Sequence, residues 1–213
     1  QELTQLYREY NVEEIIIDGA HTPGQIDISN ITLLGGNYYL ANIHKWCFAP
    51  PTAAFLWIDP NSPSVKQGKL HHPIVSHSYS TGIYSECSML GSKDYSAMCS
   101  IPAAISYLEK LGGLHSIIER NHRICCNVMQ KLGHAWNTSN YVLPSSITTS
   151  MGMVGIPSIL GDTWEKSFEL RSLLRQKYNI VIQNPFPVKG DRLYIRISVA
   201  VYNSEEDYDF LRD

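Results

Sequence analysis

Two apolar runs in this chain end on polar residues that a plain hydrophobic core has no use for. Glu14-Ile15-Ile16-Ile17-Asp18 closes on an acid, and Tyr38-Tyr39-Leu40-Ala41-Asn42-Ile43 runs straight into His44-Lys45-Trp46. A short, continuous apolar run bounded by turn residues fits a strand buried on both faces. Gly19-Ala20-His21-Thr22-Pro23-Gly24, after the first run, is a loop by composition. A third run, Ala53-Ala54-Phe55-Leu56-Trp57-Ile58, is closed by Asp59-Pro60-Asn61-Ser62-Pro63. Ligands of open α/β sheets sit outside the carboxyl ends of the strands. An acid at one strand end and a lysine just past the next therefore make a candidate site.

The remaining pattern alternates helix and strand. Leu3, Leu6, Tyr7 and Tyr10 stand at helical spacing within residues 1–10. Residues 65–90 read as irregular. From Asp94 to Leu111 the pattern is helical, with Ala97, Ile101, Ala104, Ile105 and Leu108 on one side and Gly112-Gly113 as a stop. Leu114 to Leu132 predicts a second long helix ended by Gly133. A strand over Gly152–Ile156 follows, then a helix from Asp162 to Tyr178 with Asp162 as its N-cap. Strands are expected near Ile180-Val181-Ile182 and over Leu193–Val199. Ser204, with Asp207 three residues on, approximates a capping box for a last helix. The fold class is α/β, part of a sheet layer followed by a mixed α and β tail. The boundary falls in the long helix after Gly113.

Composition excludes several functions. A formal net charge of −3, with Lys and Arg scattered, gives no field for nucleic acid or an anionic membrane. No apolar run reaches transmembrane length. The five cysteines are odd in number and form no C-x-x-C pair; Cys125 and Cys126 fall in a helical pattern as small core residues. This reads as a reducing compartment, the cytoplasm or an organelle, with no disulfide framework. His71, His72 and His77 are the one candidate metal set. Adjacent histidines on a strand point to opposite faces and no carboxylate follows at ligand spacing, so no metal is expected.

Asp18-Gly19-Ala20-His21-Thr22-Pro23-Gly24 followed by Asn42-Ile43-His44-Lys45-Trp46 resembles the cofactor signature of the class V aminotransferase superfamily, the fold-type-I enzymes of pyridoxal 5'-phosphate (PLP). Ala49-Pro50-Pro51-Thr52-Ala53-Ala54-Phe55-Leu56-Trp57 is similar to the family's strand after the lysine, Gly91-Ser92-Lys93-Asp94 to its Gly-Thr-x-Asp segment, and Tyr194-Ile195-Arg196-Ile197-Ser198 to its terminal Arg strand. Within the superfamily the resemblance is to isopenicillin-N-epimerase-like proteins, which also include sulfoxide C–S lyases. It implies a PLP-dependent transferase fold of type I. Residues 1–115 would be the latter part of the PLP-binding large domain, and residues 116–213 the small C-terminal α+β domain.

The resemblance also implies roles. Lys45 would form the Schiff base with PLP and then shuttle protons at the substrate α-carbon. Asp18 would pair with the pyridine nitrogen, whose protonation a carboxylate favours. His21 would lie near the ring hydroxyl or assist protonation, and Asn42 and His44 would contact the phosphate. Ser92 stands where the family carries Thr, whose hydroxyl reaches the phosphate across a dimer interface, which implies a homodimer. Arg196 would clamp a substrate carboxylate with its guanidinium fork; Arg192, on the same strand face, is the substitute. The substrate would be an amino acid or a close relative, and the reaction epimerisation, C–S cleavage or transamination. A cysteine desulfurase needs a mobile Cys shortly before the Arg strand, and residues 183–190 hold none. Superfamily members carry a large portion ahead of the Asp strand, with a phosphate loop and a ring-stacking residue. The alternative is therefore a noncatalytic fragment or interaction module lacking that half.

Overall fold

A buried asparagine ties the first strands together. The Asn37 side-chain oxygen accepts the Ile15 amide at 2.9 Å and a hydrogen bond from Arg8, while its backbone carbonyl accepts the Asp59 amide at 2.8 Å. The computed structural model describes residues 2–88 and 90–213; the expected helical start at Gln1 lies outside them. Helix α1 (Glu2–Glu9) precedes strands β1 (Ile16–Asp18), β2 (Tyr38–Asn42) and β3 (Ala54–Ile58), which form a sheet in that order. β1 is parallel to β2, with Ile16 opposite Tyr38; β3 is antiparallel to β2, with Leu40 opposite Leu56.

The first run is not buried on both faces. Ile15 is buried, but Ile16 is 67% exposed, and Leu40 and Leu56 on the same sheet face are 43% and 48% exposed. Side chains alternate across a strand, so a run of three isoleucines puts only alternate members toward the covered face. The segment read as irregular holds the end of one short helix, α2 (Pro63–Lys66), and the whole of another, α3 (Ile83–Ser88). The helix expected from Asp94 is two, α4 (Ser96–Cys99) and α5 (Ile101–Lys110). Pro102 lacks the amide hydrogen that would carry one through into the other. Ala97, Ile101 and Ala104 pack on Ala49 and Ala53, and Ile105 lies off that stripe, 50% exposed.

Helix α6 (Leu114–Ala135) runs through Gly133 instead of ending there. A Cβ at that position would come within 2.6 Å of Val142, so the glycine serves close approach and not termination. Ile117, Ile124, Cys125, Val128, Met129 and Leu132 are its buried stripe. Ile124, Cys125, Val128, Met129 and Leu132 pack against strands β4 (Met151–Gly155) and β6 (Arg192–Ser198) through Val154, Leu193, Ile195 and Ile197. With β5 (Phe186–Val188) these form an antiparallel sheet in the order β4-β6-β5.

Helix α7 (Trp164–Tyr178) is capped by Thr163, whose hydroxyl accepts the Lys166 amide; the Asp162 carboxylate accepts the Gly190 amide at 2.8 Å instead. No strand forms at residues 180–182, because Asn179 turns left-handed and the Ile180 amide folds back to the Leu174 carbonyl at 3.0 Å. Helix α8 (Glu206–Arg212) shows half of the expected box: the Asp207 carboxylate accepts the Ser204 amide at 2.9 Å. The chain divides into two compact units, Gln1–Leu111 and Gly112–Asp213. The division precedes α6, the helix that a boundary at 115/116 would cut.

Candidate active site

The loop after β1 is built to hold a histidine. The Gly19 amide donates to Leu40, and both the amide and the hydroxyl of Thr22 donate to the Gly19 carbonyl, at 2.9 and 2.8 Å. The Thr22 hydroxyl also meets the hydroxyl of buried Tyr39. Buried Gln25 donates its side-chain amide to the His21 carbonyl at 2.8 Å. With its backbone fixed, His21 places Nε2 3.1 Å from the Lys45 Nζ, and its Nδ1 accepts the Trp46 indole N–H at 3.4 Å.

Lys45 and Trp46 lie in a short turn after β2. The Ile43 and His44 amides both donate to the Ala53 carbonyl, and the Cys47 amide donates back to Ile43. The His44 Nδ1 lies 3.0 Å from that same Ala53 oxygen. A carbonyl only accepts, so Nδ1 carries the proton and a neutral His44 presents a lone pair at Nε2. The Lys45 side chain is exposed. Cys47, two residues on, is buried, and burial pushes its thiol up to about 11, which removes it as a nucleophile.

Gly24 closes the loop onto Trp46. Its φ of +85° is left-handed, and a Cβ there would come within 2.6 Å of the Trp46 Cβ and 3.1 Å of its carbonyl oxygen. Gly24→Ala is expected to destabilise the protein by about 2–4 kcal/mol, the sum of left-handed strain and overpacking. Gly68→Ala, at a φ of +64° with open space around it, should show the strain alone. Denaturant midpoints of the two variants check this; equal losses would show that the contact with Trp46 contributes nothing.

Asp18 ends β1 with one carboxylate oxygen accepting the Ala20 amide at 3.0 Å, and the other makes no hydrogen bond to a described residue. Asp18 and Asn42 line a surface depression of about 490 Å³ with Ile16, Leu40, Ala54 and Phe55. The structure therefore joins His21 to Lys45, and Asp18 to Asn42. Ser92 is exposed and shares no hydrogen bond with either pair.

In the second unit, two arginines of β6 differ sharply. Arg192 is only 11% exposed, pairs with Asp191 at 2.9 Å, and lies 3.3 Å above the Tyr141 ring. The guanidinium holds the Asp191 carboxyl below the usual carboxylate range. Arg196, opposite Met153, is exposed and has no ion pair among the described residues.

Two of the three histidines weighed as a metal set are engaged elsewhere. His71 Nδ1 is 2.8 Å from the buried Glu86 carboxylate, and His72 Nδ1 accepts the Ile74 amide. No group of three His, Cys, Asp or Glu side chains that could hold a metal occurs among the described residues. Glu86 also accepts the amides of His72 and Ser80, at 2.8 and 2.9 Å. The His71 hydrogen bond, then these amides, hold its carboxyl below the usual glutamate range. A depressed carboxyl contributes stability that is complete above its unfolded value of about 4.3 and lost as pH falls through the folded value. Protection of the His72 and Ser80 amides from hydrogen exchange should therefore collapse below about pH 4. In Glu86→Gln, which keeps one accepting oxygen, at least one of the two should exchange faster already at neutral pH; pH-independent protection in the wild type would refute this role of Glu86.

Sequence reasoning assigned no role to Trp46, Gln25 or Glu86. Adjacency to Lys45 was a signal for Trp46. Nothing local marks Gln25 or Glu86, whose partners come from the folded loop.

No family model matches the chain. It is 37% identical to a protein named probable L-cysteine desulfhydrase, chloroplastic, from Arabidopsis thaliana, over all of this chain and 46% of that protein. It is 34% identical to a putative L-cysteine desulfhydrase of Oryza sativa, over all of this chain and 47% of that one. The isopenicillin N epimerase of Streptomyces clavuligerus is 26% identical over 93% of this chain and 51% of its own length. The chain spans about half the length of the curated relatives it matches. Among solved structures, a cysteine desulfurase from Thermococcus onnurineus NA1 superposes with a TM-score of 0.73 at 18% identity, over 99% of this chain and 53% of that one. An alanine–glyoxylate aminotransferase from Nostoc sp. does so with a TM-score of 0.70 at 14% identity, over 99% and 55%. Among the described residues, no helix is long and apolar enough to cross a membrane.

Proposed function

The chain is a homologue of the class V aminotransferase superfamily, with the fold of type I PLP enzymes over about half their length, and from this premise we propose that it carries the lysine-bearing half of a PLP site for C–S cleavage of a cysteine-like amino acid. The observation that carries the proposal is the Lys45 amine held 3.1 Å from His21 on the loop that follows Asp18. Whole-chain relatives named desulfhydrases support the C–S chemistry. Epimerisation, the chemistry of the Streptomyces relative's name, begins with the same loss of an α-proton and is the nearest competitor.

The residues fit PLP on three points. The Lys45 amine is accessible, Asp18 keeps one carboxylate oxygen unspent, and the depression it shares with Asn42 is open. When bound, PLP supplies an aldehyde for a lysine and a sink for the electrons left at the substrate α-carbon. Lys45 would anchor the cofactor and then take the α-proton as the β-sulfur departs. Asp18 would accept the pyridinium N–H. His21 would orient the lysine nitrogen and reach the ring hydroxyl. The Asn42 amide and the Ser92 hydroxyl would donate to phosphate, Ser92 of one protomer serving its partner in a homodimer. His44, with Nδ1–H held by Ala53, would donate from Nε2 in its protonated form. Arg196, free of an ion pair, would take the substrate carboxylate.

Addition of PLP, reduction with borohydride and peptide mapping test the proposal. A pyridoxyl group on Lys45 is expected. Label spread over other lysines, in the chain and in any longer protein that carries it, would overturn it. A noncatalytic interaction module is the second reading, favoured by the exposed apolar side chains of Ile16, Leu40 and Leu56. A monomer in size-exclusion chromatography that takes PLP at Lys45 would count against that reading.

A further inference from the structure

We infer that an apolar cavity beside Arg196 is a subsite for carboxylate ligands with an apolar arm, shaped for an amino acid that carries an apolar group on its sulfur and not a free thiol. The sheet of the second unit has two unlike faces. Leu193, Ile195 and Ile197 of β6 are buried in the core with α6, so Arg192, Tyr194 and Arg196 belong to the opposite face. On that face the strand register sets Met153 of β4 opposite Arg196, Phe186 of β5 opposite Tyr194, and Val188 opposite Arg192. Directly opposed residues are neighbours on one side of a sheet. Met153, Tyr194, Phe186 and Val188 line a cavity of about 390 Å³, a size that suits a small molecule. Its other wall is the segment 140–144, held along β4 by the Leu143 amide, which donates to the Met153 carbonyl at 3.0 Å, and by a bridge from Val142 to Val154.

The charges on this face say which ligand complements the cavity. The Tyr194 hydroxyl donates to the Asp191 carboxylate at 2.8 Å, and Arg192 pairs with the same carboxylate while lying over the Tyr141 ring. Asp191 and Arg192 cancel and offer a ligand no net charge. Strands β4 and β5 contribute no charged residue. Arg196, next to Met153, is exposed and has no ion pair among the described residues. An unspent cation thus borders an apolar hollow, and its complement is a molecule with a carboxylate at one end and an apolar group at the other. Phe186 and Val188 are 52% and 47% exposed, apolar surface that such a group would take out of water. A free thiol would leave most of the cavity unfilled, whereas an alkyl or benzyl group on the sulfur would occupy it. The step from ligand to substrate rests on the functional reading above; the subsite itself does not.

The test is made without PLP. The chain is titrated with S-benzyl-L-cysteine, with L-cysteine and with the amide of S-benzyl-L-cysteine, and the methyl resonances of Met153 and Val188 are followed. S-benzyl-L-cysteine should bind at least roughly tenfold more tightly than L-cysteine, the effect of burying part of a phenyl ring, and should shift both methyls. It should also bind more tightly than its amide, which lacks the carboxylate. Arg196→Leu should erase the preference for acid over amide and keep the preference for benzyl over thiol. Val188→Ser, at an exposed position of an edge strand, should weaken the preference for benzyl; the wild-type comparison stands even if this variant does not fold. Equal affinity for the two acids, an amide that binds as well as its acid, or shifts that miss Met153 and Val188 each overturn the inference. Loss of binding in a longer protein that carries this chain does the same, since another part of that protein would then fill the cavity. PLP labelling of Lys45 is scored separately: label without the benzyl preference sinks this inference alone, and the preference without label sinks the functional reading alone.

Discussion

Lys45→Ala should abolish pyridoxyl labelling of the chain after borohydride reduction and leave its stability unchanged. The side chain is exposed and its one hydrogen bond to a described residue runs to the His21 ring, so truncation opens no cavity and strands no buried charge. Surface changes of that kind shift stability by no more than about 0.5 kcal/mol. The chemical loss is of another order, because on the proposed reading one amine would both anchor the cofactor and move the α-proton. In a catalytically competent protein carrying this sequence, turnover should fall by at least ~10⁴-fold, the upper range for a single acid–base group. Lys45→Arg should be equally inactive, since a guanidinium keeps the charge but stays protonated and cannot condense with an aldehyde. Peptide mapping of wild type and both variants under one PLP concentration is the measurement. Undiminished labelling in Lys45→Ala, on any other lysine, would remove Lys45 from the cofactor site.

How much of this was legible before folding depends on the range over which each residue acts. Asp18 and Lys45 could be picked out because each directly follows an apolar run, and strand ends are where α/β sheets deliver ligands. His21 came with the loop between them. The covered face of β1 could not be read, because three isoleucines in a row look the same whether one side or both are packed. Gly133 was mistaken for a stop for a related reason: a glycine that ends a helix and one that lets Val142 approach are identical in sequence. The apolar triplet 180–182 failed as a strand because Asn179 spends the next amide on closing α7. The cap at Thr163 and the break before Pro102 were within reach of local rules; neighbouring Asp162 drew the first assignment away, and the apolar stripe through Ile101 and Ala104 masked the second.

The two arginines of β6 give the second large effect, and sequence alone ranked them only by resemblance. Arg196→Leu is expected to lower kcat/KM by roughly 10²–10³-fold, the loss of a paired, charge-assisted grip on a carboxylate. The change should fall mainly on KM if the carboxylate is held equally in the ground and transition states. Folding should not notice, because Arg196 is exposed and unpaired among the described residues. Arg192→Leu should do the reverse. It removes the partner of Asp191 and the cation over Tyr141 from a nearly buried position, so the denaturation midpoint should drop. It should also let the Asp191 carboxyl titrate at higher pH, since Arg192 is the main cause of its depression. Substrate affinity should change little in the folded fraction. Kinetics and unfolding curves measured on both variants separate the two roles. If Arg192→Leu were the variant that lost substrate affinity while Arg196→Leu kept it, the carboxylate clamp would have to be moved to the buried pair, and Asp191 would then compete with the substrate for the same guanidinium.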